Sequence, residues 1–292
     1  MQGLVVWKMN EKFMKNCNLR KTPVIVLRQL IMIFITVSSI FPLYFMFINS
    51  IKTKEEYVVN KLSIPLKYTF ANFINIVIDK NIARGLFNSI ILTVGSVLLV
   101  TVLSALAAYA LSKMKVPFKK GIMNIVVSLM VFPPAVMIIP MFVFFVSIRL
   151  INNFVSPILI YTGLMMPFSI FLLYSFFNNI PHELIEAAKI DGCSNIRIFS
   201  RIIIPISKPA LITLIVVNSL WVWNELLIAL IFLQKDSLKP LMVLVTLFRS
   251  RFSTDIPLTM AGLVIATIPM LLLYFFGQGF FQKGLIAGAL KE

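Results

Sequence analysis

The chain has 292 residues, of which 59% are hydrophobic and 13% charged, and its mean hydropathy is +0.95. A water-soluble domain is about 45–50% apolar, so this composition excludes an ordinary soluble globule and places the chain in a membrane. The formal charge of +16 comes as short Lys and Arg clusters beside apolar runs, which is the arrangement of topology signals rather than of a nucleic-acid binder.

Residues 1–28 read as an N-terminal extension carrying Lys8, Lys12, Lys15, Arg20, Lys21 and Arg28, with Met9 and Met14 as alternative starts. It does not read as a cleavable signal peptide, because the first apolar run begins late and is too long. Six apolar segments follow, near 30–50, 86–111, 121–148, 154–177, 209–233 and 257–281. Each has about the 20 residues that cross a hydrocarbon core. The expected fold is all-α, a polytopic membrane protein with six transmembrane helices over residues 29–285 and a tail at 286–292.

Pro133, Pro134 and Pro140 fall in the third segment. They are read as a kink, in preference to a broken helix beside a translocation path. Arg149, Asn152 and Asn153 separate the third and fourth segments and predict a tight helical hairpin. Lys113, Lys115, Lys119 and Lys120 crowd the loop between the second and third segments. The positive-inside rule therefore puts the N-terminus, this loop, the 179–208 stretch and the C-terminus in the cytoplasm, and loops 52–85 and 234–258 outside.

The polar stretch after the fourth segment predicts two short helices. Pro181 suits a first helical turn, and Leu184, Ile185 and Ala188 share a face. Gly192 is placed as a left-handed terminator and Ser194 as the cap of a second helix. Ile196, Phe199 and Ile203 form the apolar stripe of that helix, which Pro205 ends. Glu186, Lys189, Asp191, Arg197 and Arg201 make a mixed-sign face. That favours docking of a cytosolic protein over the strongly basic face that binds lipid.

This stretch resembles the EAA loop of ABC importer permeases, through Glu186, Ala187, Ala188, Gly192, Ile202, Ile204 and Pro205, with Ile204 standing where the family has Leu. The resemblance covers roughly residues 25–292 and points to the carbohydrate-uptake branch, specifically its smaller, six-span maltose-type permease. It is carried also by NSIILTVGSVLLVTVLSALAAYALSK (88–113), WNELLIAL (223–230) and KGLIAGALK (283–291). It implies a coupling loop at 181–205, with Glu186, Ala187, Ala188, Asp191, Gly192, Phe199 and Pro205 as the ATPase-coupling residues. It also implies a second permease in a heterodimer, two ATP-binding cassette subunits, an extracytoplasmic sugar-binding protein, and a multi-pass location in a bacterial plasma membrane.

The chain carries no ATP site of its own, since no glycine is followed by lysine as a P-loop requires. With one histidine and two cysteines it offers no metal site, and no cofactor is expected. The chain is therefore not expected to be an enzyme. Glu225 is the one acidic residue deep in a segment, where a charge costs about 3 kcal/mol. It is either a carboxylate near a span end, hydrogen-bonded across a subunit interface, or, with Trp221, Trp223 and Asn224, part of a sugar path. The rival function is a proton-coupled secondary transporter using Glu225, which leaves the EAA pattern unexplained.

Overall fold

The computed structural model describes the backbone of residues 2–78, 80–251 and 255–289, and the side chains of 25–78, 82–247 and 255–279. Within these residues it contains helices and loops and no strand. The helices are α1 (Gln2–Ser50), α2 (Lys54–Val59), α3 (Ala71–Ile78), α4 (Lys80–Lys113), α5 (Lys119–Leu129), α6 (Pro134–Ser147) and α7 (Val155–Asn178). They continue with α8 (His182–Ile190), α9 (Asn195–Ile198), α10 (Ile204–Ile206), α11 (Lys208–Asn224), α12 (Leu227–Phe232), α13 (Leu241–Arg251) and α14 (Ile256–Ala289).

Among the described residues four helices are long and apolar enough to cross a membrane: Ile25–Ser50 of α1, Ile82–Lys113 of α4, Val155–Asn178 (α7) and Ile256–Gly279 of α14. Two further pairs pass the same test only when taken together, giving up to six spans. The first is α5 with α6, which meet at 96°, and the second is Asn195–Ile206 with α11, which meet at 77°. The chain is thus a helical, polytopic membrane protein. The extension expected at 1–28 continues into α1 without a helix break, and of the 286–292 tail only 286–289 are described, as the end of α14.

The third segment departs from the kink expected of it. Proline excludes its predecessor from helical geometry, and Pro133 is extended, with φ −65° and ψ 129°, while Pro134 opens α6. The tandem therefore breaks the helix. Pro140, lying inside α6, does not. The turn between the third and fourth segments is tight, with Arg149 and Asn152 both at positive φ, 57° and 59°, but α6 does not pack closely along α7 as the predicted hairpin requires; α5 does. Asparagine tolerates this region better than most residues.

α4 and α7 form the central pair. Close approach is possible because small residues lie on α4: Ala105 and Ala108 are buried there, and a Cβ on Gly95 would come within 2.9 Å of Ile158 on α7. In lipid, such small-residue contacts replace hydrophobic collapse as the source of helix affinity. α11 and α14 pack beside the pair, and α1 lies against α14, with most of the apolar side chains of residues 25–50 exposed.

Hydrogen bonds fix which loops share an end of the bundle. At one end, the Asn88 amide donates to the carbonyls of Ser237 and Lys239, and Ser89 Oγ accepts from Leu241 N. The Asn152 side-chain oxygen accepts from Gln234 N and Lys235 N at the same end. At the other end, the last turn of α4 meets the 180–199 stretch. The lysine-rich 113–120 loop and the 181–205 loop therefore lie together, opposite the turn after α12.

Candidate functional site

The 181–205 loop is built on a helix stop. α8 ends at Asp191, and Gly192 follows with φ +76°. Gly192 N donates to Lys189 O at 3.0 Å and Cys193 N to Ala188 O at 2.9 Å. These are the two hydrogen bonds of a Schellman stop, which requires a left-handed residue where Gly192 stands. Ser194 Oγ then accepts from Arg197 N at 3.4 Å and starts α9. The expected glycine stop and serine cap are both in place.

Ile185 and Ala188 are buried, whereas Leu184 is half-exposed on the rim of a cavity of about 270 Å³ with Phe176, Pro181 and Ile206. The stripe expected on the second helix is shifted. Ile198 and Ile203 are fully buried and Phe199 half-buried, but Ile196 is 79% exposed. The cause is a π-helical turn over Phe199–Ile203. Its wider turn brings residues five apart onto one face, so Ile198 aligns with Ile203 and the α-helical spacing from Ile196 fails.

The inward anchors leave a distinct outward face. Glu186, Ala187, Lys189, Asp191, Gly192, Arg197, Arg201 and Pro205 are exposed, together with Ile190 at 86% and Ile196 at 79%. Two exposed isoleucines among both signs of charge suit a protein surface better than lipid headgroups. Of the named coupling residues, Ala188 and Phe199 point into the fold, and the other five lie on the outward face.

The 221–225 stretch is resolved residue by residue. Trp221 lines a cavity of about 610 Å³ between the α5–α6 break, α7 and α11, which Met130, Met137, Met141, Phe168 and Asn218 also line. Its ring stands edge-on to Tyr161, with centroids 5.8 Å apart. Trp223 points elsewhere: it is buried, and Nε1 donates to Ala266 O on α14 at 3.0 Å. Asn224 is exposed, and its amide donates to Leu220 O.

Glu225 stands at a break. α11 stops at Asn224, Glu225 is extended, and α12 begins at Leu227. The Glu225 carboxyl oxygens accept from Ile228 N at 3.0 and 3.1 Å and from Ala229 N at 3.3 Å, capping α12. Oε2 also accepts from Tyr161 Oη at 2.8 Å. Backbone polar groups freed inside a membrane must find internal partners, and Glu225 supplies them. Tyr161, absent from the sequence reading, is its buried donor; an aromatic hydroxyl within the apolar fourth segment was the available signal. Among the described residues no cluster of three or more His, Cys, Asp or Glu is arranged to hold a metal ion.

Residues 100–286 match the family described as the binding-protein-dependent transport system inner membrane component. The chain is 38% identical over 251 residues to a putative ABC transporter permease protein of Caldicellulosiruptor sp., covering 86% of this chain and 91% of that one. It is 33% identical, over the same shares, to a probable starch degradation products transport system permease protein of Thermoanaerobacterium thermosulfurigenes. In fold it is similar to a chain of a bacterial ABC transporter that imports the acidic polysaccharide alginate, with a TM-score of 0.78 and 22% identity over 89% of this chain and 97% of that one. The chain belongs to the family of binding-protein-dependent ABC transporter permeases, the membrane component of such systems.

Proposed function

We propose that the chain is one of two unlike permease subunits of an ATP-driven importer for a di- or oligosaccharide, forming half of the translocation path. ATP is hydrolysed by two partner cassette subunits, which dock on the 181–205 loop, and an extracytoplasmic sugar-binding protein delivers the solute. The observation that carries this reading is the outward face of α8 and α9, exposed at the end of the bundle and fixed from within by buried Ile185, Ile198 and Ile203. A saccharide as solute is supported by the starch-product relative and by Trp221 on the wall of the large cavity, since flat aromatic faces suit sugar rings. Asn224 lies at the exposed end of the same helix; Glu225 bonds Tyr161, whose ring packs edge-on to Trp221, while Trp223 turns away to α14.

The test is uptake of a panel of labelled di- and oligosaccharides by cells with and without the cassette ATPase. Uptake is expected to collapse when the ATPase is deleted. Uptake that persists on a proton gradient alone, and is lost in Glu225→Gln, would establish the secondary transporter instead. The capping role of the Glu225 carboxyl speaks against that rival.

Both termini are proposed to be cytoplasmic, because the lysine-rich 113–120 loop shares an end with the docking loop. Lys115 and Asn60 are both exposed. With Cys17 and Cys193 replaced by serine, an impermeant thiol reagent added outside whole cells should label Asn60→Cys and spare Lys115→Cys. The reverse pattern would invert the topology and remove the docking loop from the ATPase.

A further inference from the structure

The loop's covalent neighbours are both jointed. α7 reaches α8 through the non-helical residues Asn179–Pro181, and α9 reaches α11 through a π-turn and a 77° bend. A push on the loop would be absorbed partly at these joints. α4 has no such joint: it is one unbroken helix from Lys80 to Lys113, about 50 Å long at 1.5 Å per residue.

The last turn of α4 grips the loop at two points, its start and its middle. Lys113 is buried, and its Nζ donates to Ile180 O at 2.6 Å, where the chain enters α8. One turn earlier on the same face, Tyr109 Oη donates to Asn195 O at 3.2 Å, in the first turn of α9. The Tyr109 ring also packs on Phe199, with centroids 5.2 Å apart. These contacts bridge 67 and 86 residues of chain. The far end of α4 holds the 237–241 loop through Asn88 and Ser89.

We infer that Tyr109 and Lys113 are positioning residues that clamp the docking loop to α4, making α4 the rigid element that carries the loop's displacement to the opposite end of the bundle. This rests on the reading that the loop docks an ATPase. Holding the loop in shape is a different role, because the Schellman stop, the Ser194 cap and buried Ile185, Ile198 and Ile203 already do so without the clamp.

The test uses the assembled transporter, with an environment-sensitive fluorophore at Phe87→Cys near the far end of α4, where Phe87 is exposed, and with Cys17 and Cys193 replaced by serine. The probe added is MgATP with vanadate. The parent is expected to change its fluorescence on nucleotide trapping. Tyr109→Phe with Lys113→Met keeps the ring and the chain length but removes both donors. This variant should retain the ATPase and trap nucleotide while the fluorescence change falls about fivefold or more. Lys113→Arg, which restores a cationic donor, should recover part of the change. A full-sized change in the double variant overturns the clamp, as does loss of the change only in step with loss of bound ATPase. If the ATPase fails to co-purify with the parent, the docking reading itself is what fails.

Discussion

Gly192→Val is expected to leave the permease in the membrane and, on the docking role proposed for the loop, to weaken its hold on a partner ATPase. Gly192 has φ +76°, and a Cβ built on it meets no atom within 4 Å. The penalty is therefore in the backbone and not in a clash. A residue with a Cβ in the left-handed region costs about 1–2 kcal/mol more than glycine, and a β-branched one is worse placed still. The residue is exposed and outside the bundle, so this energy is not spent on unfolding the spans. It is released by abandoning the turn, which breaks the Gly192 N–Lys189 O and Cys193 N–Ala188 O hydrogen bonds and swings α9 away from α8. A cost of 1–2 kcal/mol alters the population of a local geometry roughly 5–30-fold, and apparent docking affinity falls with the competent fraction. Substitutions should therefore rank, with Asn close to the parent, Ala intermediate and Val worst, because asparagine tolerates this region best. Co-purification of the ATPase and sugar uptake would check the series. Parent-level binding and uptake in the valine variant would reduce the loop to a connector.

The features legible in the sequence were those written in local chemistry. A glycine stop and a serine cap need only their own neighbours to be recognised, and both stand where the spacing put them. The apolar stripe on the second helix assumes an α-helical period, which the π-turn over Phe199–Ile203, packed with residues of α4 and α7, does not keep. The Pro133–Pro134 pair shows the converse. Its local rule was known, but whether it bends or breaks a helix depends on what surrounds the freed carbonyls. The 221–225 stretch was legible as polar and aromatic, yet its division of labour was not. Successive helical residues face different neighbours, so Trp221 reaches the cavity while Trp223 reaches Ala266 on a helix more than 40 residues away. The clamp on the loop was invisible for the same reason: Lys113 was read as one of several topology lysines, and nothing local ties it to Ile180.

Glu225→Leu is expected to be the most damaging single change in the spans. The carboxyl group accepts from Ile228 N, Ala229 N and Tyr161 Oη. Leucine fills similar space and orphans all of them. Each buried donor left unpaired costs about 1–3 kcal/mol, so the total is several kcal/mol, a large part of the stability of an ordinary domain. The variant should accumulate poorly in the membrane and melt at a lower temperature in detergent. Glu225→Gln keeps one acceptor oxygen in reach of the helix start and should lose much less. Tyr161→Phe removes a donor and leaves the cap intact, so its effect should be smaller again. The pair supplies a sharper test than any single change. In Glu225→Leu the Tyr161 hydroxyl is one of the orphans, and adding Tyr161→Phe removes it. The double variant should therefore be less destabilised than the sum of the two singles, with a coupling of about 0.5–3 kcal/mol. Strict additivity would mean that the hydroxyl and the carboxyl do not act together. A Glu225→Leu protein as stable as the parent would show that α12 needs no cap from Glu225.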